Sequence, residues 1–492
     1  MHLRRVSHNP SRLAELLATL PFSRCILPSS FDAGALTDIQ WRADRCTPGS
    51  ILCFQRFDDG RSDRDIVARY LAHSRFGALI IDRPLDCFEQ LAGRAIFVTA
   101  PDAWGTTLAR LCDHFFAVGP ADWQIAGVTG TNGKTTTVKY LEAMLLAAGR
   151  RVLGIGTLGL TLNGTPQAQT GFTSPPYIEL RRILNDYRDR ADTLVMEVSS
   201  HALHQSRVHG LRFASAAWTN FSQDHLDYHG DEASYFAAKA RIIDQLAEGT
   251  RLLTTSAAVL GRLRDARGVG APVDLIEVPL LPAQALRERP FLALAFNRAN
   301  YALARAMTAR LLAAEPEEPW RALRAVDGRF DCRVHGRRTI VVDFAHTPDA
   351  LINVLGAIRD GFPGARILTL FGCGGDRDRA KRPLMGAAVC GGSDRVIVTS
   401  DNPRFEEPRA IIEDTLAGMQ GCAEPPRVVI DRAEAVRALF DELAARPAEE
   451  PWVALIAGKG HERYIDQGGV KRDYSDQAEV ERNFRRLGWA EG

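Results

Sequence analysis

The residues whose types and spacing could most clearly do chemistry form one glycine-rich loop, Gly130-Thr131-Asn132-Gly133-Lys134-Thr135-Thr136. A loop of this composition at the start of a helix directs backbone N–H groups toward a phosphate chain. Lys134 would then reach the outer phosphates, and the Thr135 hydroxyl would lie where Mg²⁺ is bound. The spacing departs from the common G-x-x-x-x-G-K-[ST] form, because Val128 stands five residues before Gly133. A plain glycine turn would not need lysine and threonine at that place, so the loop predicts binding of a nucleoside triphosphate.

The elements around this loop have the order that such a site needs. A short apolar segment at residues 125–128 precedes the loop and predicts a buried strand. After the loop, Val138, Leu141 and Leu145 recur on one side of a predicted helix, which Gly149 ends. The succession of strand, glycine loop and helix therefore supports the phosphate-binding interpretation.

Two further stretches of the middle region carry candidate metal ligands. The apolar run 193–196 ends in Glu197, and nucleotide-hydrolysing folds place an acidic Mg²⁺ ligand at the end of such a strand. The alternative is an acid that only caps the strand. The stretch Asp224-His225-Leu226-Asp227-Tyr228-His229 could hold a transition metal, but no Cys or further His lies nearby at ligand spacing. We therefore favour a role with Mg²⁺ or phosphate for part of it.

Lys239 lies on the apolar face of a predicted helix, four residues after Tyr235 and three before Ile242. A lysine at such a position usually extends its ammonium group from the edge of the face into water. If the side chain is instead held inward, desolvation favours a neutral amine, which can capture CO₂ as a carbamate. The carbamate would be an anion able to bind or orient a metal. The residue pattern alone favours the first alternative.

From about residue 329 onward, short apolar runs alternate with helix-like segments, which predicts an α/β unit with a mostly parallel sheet. Polar loops follow the runs and should gather at the carboxyl ends of the strands, where ligands bind. These loops are 343–348, 372–377, 401–404 and 458–462. Asp401, Asn402, Arg404 and Glu462 combine both charges, which suits a zwitterionic amino acid, although ordinary surface ion pairing is the alternative. Arg377 occupies the third glycine position of a dinucleotide fingerprint, so hydride transfer is disfavoured.

Length and pattern together predict three α/β domains, at residues 1–119, 120–328 and 329–492. The first is a small unit without a chemical motif, the second carries the glycine loop, and the third carries the four polar loops. A long helix through Leu311 lies near the end of the second domain, with Asn297 as a plausible N-cap.

The composition excludes several classes of protein. The 492 residues carry a formal net charge of +1, which does not support a broad nucleic-acid or membrane-surface footprint. No apolar run is long enough to span a bilayer, and no signal-peptide core follows the basic residues at the start. Nine cysteines without a C-x-x-C pair predict reduced thiols. We therefore expect a cytoplasmic protein with small-molecule partners; the sequence does not indicate its oligomeric state.

Several stretches together resemble the Mur ligases. They are the glycine loop, Met196-Glu197-Val198-Ser199-Ser200-His201, Asp224-His225-Leu226-Asp227-Tyr228-His229-Gly230, Phe296-Asn297 with Asn300, and Asp343-Phe344-Ala345-His346-Thr347-Pro348-Asp349. The stretches 372–386, 401–404, 458–462 and 473–476 resemble the members that add meso-diaminopimelate to UDP-MurNAc-L-Ala-D-Glu. The N-terminal region is divergent, because Ala43-Asp44-Arg45 stands where Asp-Ser-Arg is usual and residues 55–59 replace a glycine-rich stretch.

The resemblance implies a small N-terminal α/β domain, a central P-loop ATPase-like domain and a C-terminal Rossmann-like domain. It also implies an ATP-dependent ligase of peptidoglycan biosynthesis. Such a ligase moves the γ-phosphate of ATP onto a substrate carboxylate, and the amine of an amino acid then displaces the phosphate from the acyl phosphate. Positioning and charge neutralisation supply most of this catalysis.

The resemblance further implies roles for individual residues. The catalytic and Mg²⁺ set is Lys134, Thr135, Glu197, His225 and a carbamylated Lys239. Beside the glycine loop, the nucleotide contacts are Asn297, Asn300, Arg329, Asp343 and His346. The acceptor contacts are Thr173, Ser174, Ser199, Gln205 and Arg207. The diaminopimelate pocket is Arg377, Asp401, Asn402, Arg404, Gly458 and Glu462.

Two other interpretations stay open. One is a related ligase that keeps the amide-forming machinery but joins an amino acid to a different carboxylate acceptor in a specialised pathway. The other is a non-catalytic nucleotide-binding protein. The presence of Lys134, Glu197, His225 and Lys239 argues against the second, because simple nucleotide binding would not need all four.

Overall fold

The computed structural model describes residues 10–56, 62–71, 74–91 and 93–489, so residues 57–59 of the divergent stretch lie outside it. Contacts between Cα atoms divide the chain into two units. The first comprises Met1–Thr129, Ala148–Ala216 and Ala238–Leu252, and the second comprises Gly130–Ala147, Ala217–Ala237 and Leu253–Gly492. Both units combine helices with largely parallel sheets, which confirms the predicted α/β class. The domain boundaries after residues 119 and 328 stay a prediction.

The described residues contain the following strands and helices. The strands are β1 (Phe22–Ile26), β2 (Asp38–Gln40), β3 (Ser50–Phe54), β4 (Ala78–Ile81), β5 (Ala95–Thr99), β6 (Gln124–Thr129), β7 (Val152–Gly156), β8 (Gly159–Leu162), β9 (Thr165–Ala168), β10 (Thr193–Glu197), β11 (Phe213–Trp218), β12 (Leu252–Thr254), β13 (Val273–Leu275), β14 (Asp331–His335), β15 (Arg338–Asp343), β16 (Arg366–Phe371), β17 (Arg395–Val398), β18 (Arg427–Val428), β19 (Trp452–Ala457), β20 (Tyr464–Gln467) and β21 (Val470–Asp473). The α-helices are α1 (Pro10–Thr19), α2 (Asp63–Ile66), α3 (Trp104–Phe115), α4 (Lys134–Ala147), α5 (Tyr177–Tyr187), α6 (Ser200–His204), α7 (Leu226–His229), α8 (Glu232–Ala240), α9 (Ala257–Arg267), α10 (Ala283–Glu288), α11 (Ala295–Leu312), α12 (Pro348–Gly361), α13 (Lys381–Gly392), α14 (Pro408–Leu416), α15 (Arg432–Ala444) and α16 (Asp476–Leu487).

The first unit begins with a five-stranded sheet in the order β1-β5-β4-β3-β2. Its strands are parallel except for β1, which pairs antiparallel with β5. Alternate residues of one strand enter different cores: Ile51 packs with Leu13 of α1 and Leu111 of α3, whereas Leu52 packs with Ile66 of α2. Burial on both faces explains why these strands read as continuous apolar runs in the sequence.

The remainder of the first unit contains strands in the order β11-β6-β10-β7-β8-β9. The central three, β6, β10 and β7, are parallel, and β8 and β9 continue antiparallel. Glu197 is the last residue of β10 and is in register with Val128 of β6. The acidic residue therefore lies at the carboxyl end of a buried strand, as the sequence predicted.

The second unit contains a six-stranded sheet in the order β14-β15-β19-β16-β17-β18, parallel except for β14. One face packs on α12, α13 and α14, through residues such as Val354, Val389 and Ile411. The other face packs on α15 and α16, through residues such as Leu439 and Phe484. The predicted mostly parallel sheet is confirmed, and the polar loops after β15, β16, β17 and β19 leave from one edge.

The helix predicted near Asn297 exists, but its start differs from the prediction. Helix α11 begins at Ala295 with Leu294 as its N-cap residue, so Asn297 lies inside the first turn. Its side-chain amide donates to the carbonyl oxygen of Phe291 at 3.0 Å. The N-cap interpretation of Asn297 was therefore wrong; the side chain instead fixes the turn that precedes the helix.

The cysteines also differ from the prediction in one respect. Cys390 and Cys422 form a disulfide, with their Cα atoms 4.6 Å apart, although the sequence predicted reduced thiols throughout. Cys390 lies near the end of α13 and Cys422 follows α14, and packing of these two helices brings the thiols together. A separation of 32 residues carries no pairing signal in the sequence, so this contact could not be predicted from spacing.

Helices suited to a bilayer are not found in the described ranges, because none there is both long enough and apolar enough to cross a membrane.

Candidate functional site

The glycine loop between β6 and α4 is a tightly constrained turn. Gly130 and Gly133 have φ angles of +140° and +82°, which side-chain-bearing residues rarely adopt. A Cβ on Gly133 would lie 2.5 Å from Oδ1 of Asn300, and the hydroxyl of Thr137 donates to the same oxygen at 3.3 Å. Within the second unit, Asn300 of α11 therefore lies against the loop, where the sequence predicted a nucleotide contact.

Lys134 is the first residue of α4, and its side chain lies back over the loop. Its Nζ donates to the carbonyl oxygens of Gly130 at 2.9 Å and Thr131 at 2.8 Å. Asn220 supports the loop by accepting from the backbone N–H of Asn132 at 2.9 Å. These contacts hold the loop in shape. The Lys134 ammonium lies against the loop, and the N-terminus of α4 follows it directly, so both can attract an anion.

Arg329 lies near this loop in the second unit, and Asp343 interacts with Arg329. One Arg329 nitrogen is 3.4 Å from the Thr135 hydroxyl, and the guanidinium lies 4.2 Å from the centre of the Phe344 ring. Asp343 accepts from the backbone N–H groups of Phe330 and Ala345, both at 2.7 Å. Burial raises the pKa of Asp343, while Arg329 and these two bonds act in the opposite direction.

His346 is a neutral imidazole in this environment. Burial lowers its pKa to about 4, and Lys381 and Arg329 act in the same direction, whereas Asp224 opposes them. Nδ1 lies 2.7 Å from the carbonyl oxygen of Phe344, so this nitrogen carries the proton and donates it. Nε2 is then the acceptor of the ring.

The low pKa of His346 predicts a pH dependence of stability. Between its ordinary value of 6.5 and about 4, the unfolded chain binds a proton at this residue and the folded chain does not, so stability falls as pH is lowered through that range. We expect the melting temperature of His346→Gln to fall less steeply than that of the wild type in this interval. Parallel curves from pH 8 to pH 4 would contradict the assignment; at pH 8 both proteins are uncharged at this position and provide the reference.

Asp224 and His225 belong to the stretch that could have been a transition-metal cluster. Asp224 is buried and lies 3.4 Å from both Lys381 Nζ and His225 Nε2. Burial opposes ionisation of Asp224, but His225, Lys381 and His346 lower its pKa below the ordinary range. Asp224 is thus an anion with a nearby ammonium partner. Across the described ranges no group of three or more His, Cys, Asp or Glu side chains has a geometry that could hold a metal ion.

In the first unit, Glu197 is held by the segment after β7. Its two carboxylate oxygens accept from the backbone N–H of Thr157 at 2.8 Å and from the Thr157 hydroxyl at 3.2 Å. A Cβ on Gly156 would lie 2.3 Å from one of these oxygens, so a glycine is required there. Thr157 has no role in the sequence prediction, and only its place after a glycine-ended strand could have indicated one.

The predicted acceptor residues form one connected group with Glu197 in the first unit. The Ser174 hydroxyl donates to the carbonyl oxygen of Glu197 at 2.9 Å and accepts from the Ser199 N–H at 3.0 Å. Arg207 donates to the carbonyl oxygen of Ser174 at 2.8 Å, and its Nε donates to the Gln205 side chain at 2.9 Å. The remaining member, Thr173, lies with its hydroxyl 3.1 Å from that of Thr157.

Lys239 is one of the largest fully buried side chains, with 1% of its surface exposed. It lies at the end of α8, and a 3₁₀ turn at Arg241–Gln245 continues the chain. The ordinary alternative, an ammonium at the edge of the face extending into water, is therefore wrong. The carbamate hypothesis required that the side chain of Lys239 be held inward, and its burial meets this requirement.

A pocket of about 150 Å³ lies in the second unit at the carboxyl ends of its sheet. It gathers these predicted site residues: His225, His346, Arg377, Asp401, Asn402, Arg404, Gly458 and Glu462. Burial would raise the pKa of Asp401, but Lys459 and Arg432 hold it below its ordinary value. Arg404 is fixed by a 2.6 Å bond to the carbonyl oxygen of Gly375. The pocket thus has charged groups of both signs on its loops, as binding of a zwitterion requires.

Two lysines at this pocket were missed by the sequence analysis. Lys381 lines the pocket and pairs with Asp224, and Lys459 is fully buried behind Asn402 and Glu462. Lys459 stands between two glycines of a loop already identified, which was the available signal. Lys381 begins α13 and carried no local signal, because its partner lies 157 residues away.

Comparisons with known proteins show which family the chain resembles. Residues 128–266 match the family description "Mur ligase middle domain", and residues 328–460 match "Mur ligase, glutamate ligase domain". The UDP-N-acetylmuramoyl-L-alanyl-D-glutamate–2,6-diaminopimelate ligase of Solibacter usitatus is 35% identical, covering 95% of this chain and 97% of the relative. The protein of the same name from Aquifex aeolicus is 38% identical over 75% of this chain and 79% of its own length. A solved structure with that name aligns at a TM-score of 0.53 and 26% identity, over 94% of this chain and 98% of that one.

Proposed function

The chain belongs to the Mur ligase family of ATP-dependent, amide-forming ligases, and from this premise we propose that it adds meso-diaminopimelate to UDP-MurNAc-L-Ala-D-Glu. The relatives that match most of the chain carry the name of this activity. The observation that carries the proposal for this chain is the pocket with Asp401, Asn402, Arg404 and Glu462, whose charges complement an amino acid with several ionised groups.

In the proposed reaction the chain first binds and orients the triphosphate. The backbone N–H groups of the glycine loop and the Lys134 ammonium neutralise the phosphate oxygens, and Asn297, Asn300, Arg329, Asp343 and His346 bind the rest of the nucleotide. A carboxylate oxygen of the acceptor attacks the γ-phosphorus, the bond to the β-phosphate oxygen breaks, and ADP leaves. The product is an acyl phosphate, in which phosphate has become a good leaving group.

Formation of the amide requires the acceptor and the amino acid to be held in place. Thr173, Ser174, Ser199, Gln205 and Arg207 orient the acceptor peptide, and the pocket residues hold diaminopimelate. The neutral amine attacks the acyl carbon, the bond between that carbon and the phosphate oxygen breaks, and the proton of the amine passes to the released phosphate. Fixing both reactants replaces much of the entropic cost of their encounter.

The oxygen donors of Thr135 and Glu197 suit Mg²⁺, because hard cations prefer hydroxyl and carboxylate ligands. Both side chains are buried, and Glu197 is already oriented by Thr157. We propose that Thr135 and His225 of the second unit, and Glu197 and a carbamylated Lys239 of the first, would each supply a ligand to Mg²⁺. When bound, Mg²⁺ neutralises charge on the phosphate oxygens.

The proposal is tested by incubating the purified protein with ATP, Mg²⁺, diaminopimelate and UDP-MurNAc-L-Ala-D-Glu, while phosphate release and product mass are measured. We expect a product heavier by one diaminopimelate minus water, together with stoichiometric ADP. Omission of the amino acid is the control for simple ATP hydrolysis. Turnover with other carboxylate acceptors but none with the UDP-sugar peptide would overturn the choice of acceptor.

A second candidate function, ligation to a different carboxylate acceptor, is favoured by the turn at residues 43–45. Asp44 stands in the place of the usual serine and supplies no hydroxyl, and its carboxylate accepts from Arg42 through bonds of 2.6 and 2.9 Å. The usual serine that helps hold the uridine is therefore missing, and the neighbouring charges bind each other. A panel of acceptors with and without the UDP group separates the two functions through the ratio of their kcat/KM values.

The carbamate proposed at Lys239 gives a separate prediction. Lys239→Ala should lower ligase activity by about 100-fold or more, because an anion that orients Mg²⁺ is lost. In ¹³C-bicarbonate, the wild type should show a carbamate carbon signal that Lys239→Ala lacks and the control Lys139→Ala keeps. Full activity of Lys239→Ala, or an unchanged carbamate signal, would contradict the proposal.

The proposal also covers partners and location. The partners are ATP, an amino acid and a carboxylate acceptor, all small molecules. We place the protein in the cytoplasm, where ATP is supplied.

A further inference from the structure

Lys459 is a fully buried cation that belongs to no assigned site. Its side chain has no exposed surface, and its ammonium donates to Asn402 Oδ1 at 2.9 Å, Tyr464 O at 2.8 Å and Glu462 Oε2 at 3.2 Å. An ammonium has three N–H groups, so these contacts use all of them. Asp401 Oδ1 lies 3.6 Å away and adds a second carboxylate to its surroundings. Burial of this charge is thus compensated by bonds to two pocket residues.

These contacts fix the orientation of the Asn402 amide. Its Oδ1 accepts from Lys459 and also from the backbone N–H of Asp466 at 2.9 Å, while its Nδ2 donates to Glu462 Oε2 at 2.9 Å. Reversing the amide would place its NH₂ group against two donors. The two donors therefore set which atom of Asn402 faces each neighbour.

The same contacts orient the carboxylate of Glu462. Lys459 and Asn402 both donate to Oε2, so neither bond uses Oε1. The side chain keeps 21% of its surface exposed and lines the pocket. One oxygen of Glu462 is thus anchored, and the other can accept from a ligand; a cationic N–H donor such as an ammonium group complements it.

We propose that Lys459 is the positioning residue that makes the pocket select an amino acid with a second ammonium group, because it holds Asn402 and Glu462 in a single arrangement. This inference rests on the proposed function, since it assigns the selectivity of the same pocket. Lys459 does not touch the substrate in this proposal. It acts through Glu462, whose orientation it fixes, and an amino acid without the second amine forms no bond to Oε1 of that carboxylate.

A second buried cation makes the inference separable from a merely structural role. Arg432 donates to Asp476 at 2.8 and 2.9 Å and to Ala457 O at 2.8 Å. Its guanidinium lies 3.8 Å from Oδ2 of Asp401, whereas Lys459 lies 3.6 Å from Oδ1. Asp401 therefore keeps a cationic neighbour when Lys459 is replaced. The last residue of β19, Ala457, also keeps its bond to Arg432.

The test compares Lys459→Met with Lys471→Met. Lys471 is an exposed lysine of β21 whose ammonium lies 4.1 Å from the Tyr464 ring, so its replacement is a matched control. For Lys459→Met we expect KM for diaminopimelate to rise by about 30-fold, the size of one or two lost charge-assisted bonds, with KM for ATP within about threefold. The preference for diaminopimelate over 2-aminopimelate, which lacks the second amine, should fall by about tenfold. Lys471→Met should match the wild type in all of these.

Two outcomes would overturn the inference. One is a Lys459→Met enzyme with unchanged preference between the two amino acids; the other is a parallel loss of kcat and melting temperature with that preference retained. If the wild type forms no product with diaminopimelate, the proposed function fails, and the inference is judged from a crystal structure of Lys459→Met. That structure should show new positions for Asn402 and Glu462 with the surrounding sheet intact. Unchanged side chains would refute it independently of activity.

Discussion

Replacing Lys134 by methionine is expected to lower kcat by about 10³-fold, equivalent to about 4 kcal/mol of transition-state stabilisation. Methionine keeps the length and apolar stem of the side chain but removes its charge. The ammonium now lies over the loop, bonded to the carbonyl oxygens of Gly130 and Thr131. A phosphate chain in the loop would exchange these neutral partners for anionic oxygens. Charge on those oxygens shifts during transfer, so the loss should fall mainly on kcat.

The control for this experiment is Lys139→Met on the same helix. Lys139 is paired with Glu142 at 2.8 Å and lies five residues after Lys134, so its loss should change kcat by less than about twofold. Activity is followed by phosphate release, and nucleotide binding by calorimetry with Mg²⁺. A Lys134→Met enzyme with normal kcat would remove the phosphate-binding role of the loop. The melting temperature of the wild type is the reference for folding in both variants, because Lys139→Met removes a partner of the buried Glu142 carboxylate.

Much of the fold was predictable because its strongest signals are local. The apolar runs before the glycine loop and throughout the third region became parallel strands, since burial on both faces requires continuous apolar sequence. The position of Glu197 at the end of β10 followed from the same logic. The gathering of Asp401, Asn402, Arg404 and Glu462 in one pocket followed from the rule that loops at strand carboxyl ends converge.

The features that were not predicted from the sequence depend on contacts between residues that are not neighbours along the chain. Cys390 and Cys422 meet only because α13 and α14 pack together. The burial of Lys239 required knowing what covers its helix face; the pattern of one helix cannot supply this. The role of Asn297 could not be predicted either. Its side chain bonds to Phe291 in the turn before α11, whereas the sequence suggested that it caps the helix.

The pocket shows this division within a single site. The residues that line the pocket from the charged loops were identified, whereas Lys381 and Lys459, which pair with those residues or with Asp224, were not. A side chain that faces the ligand must be polar and must follow the end of a strand, so it can be recognised from the neighbouring sequence. A group behind it needs only to reach its partner, and the partner lies 157 residues away for Lys381 and 57 for Lys459.

Replacing Arg404 by lysine is expected to raise KM for the amino acid by about 30- to 100-fold while leaving KM for ATP within about twofold. The charge is kept, so the effect isolates the planar guanidinium. One nitrogen of Arg404 already donates to the carbonyl oxygen of Gly375 at 2.6 Å, and its backbone N–H donates to Asp466 O at 2.9 Å. The residue adopts a φ of +51°, a strained value for a non-glycine residue, which these bonds hold in place.

The guanidinium can keep its bond to Gly375 and still present further N–H groups to a substrate carboxylate, because its five donors lie in one rigid plane. A lysine ammonium would have to choose between the loop carbonyl and the ligand. The matched control is Arg409→Lys, an exposed arginine at the start of α14, which should leave both KM values unchanged. Steady-state kinetics with varied diaminopimelate measures the effect. A rise in KM for ATP of the same size would show instead that Arg404 maintains the loops in general, and an Arg404→Lys enzyme with wild-type KM for the amino acid would exclude bidentate recognition at this position.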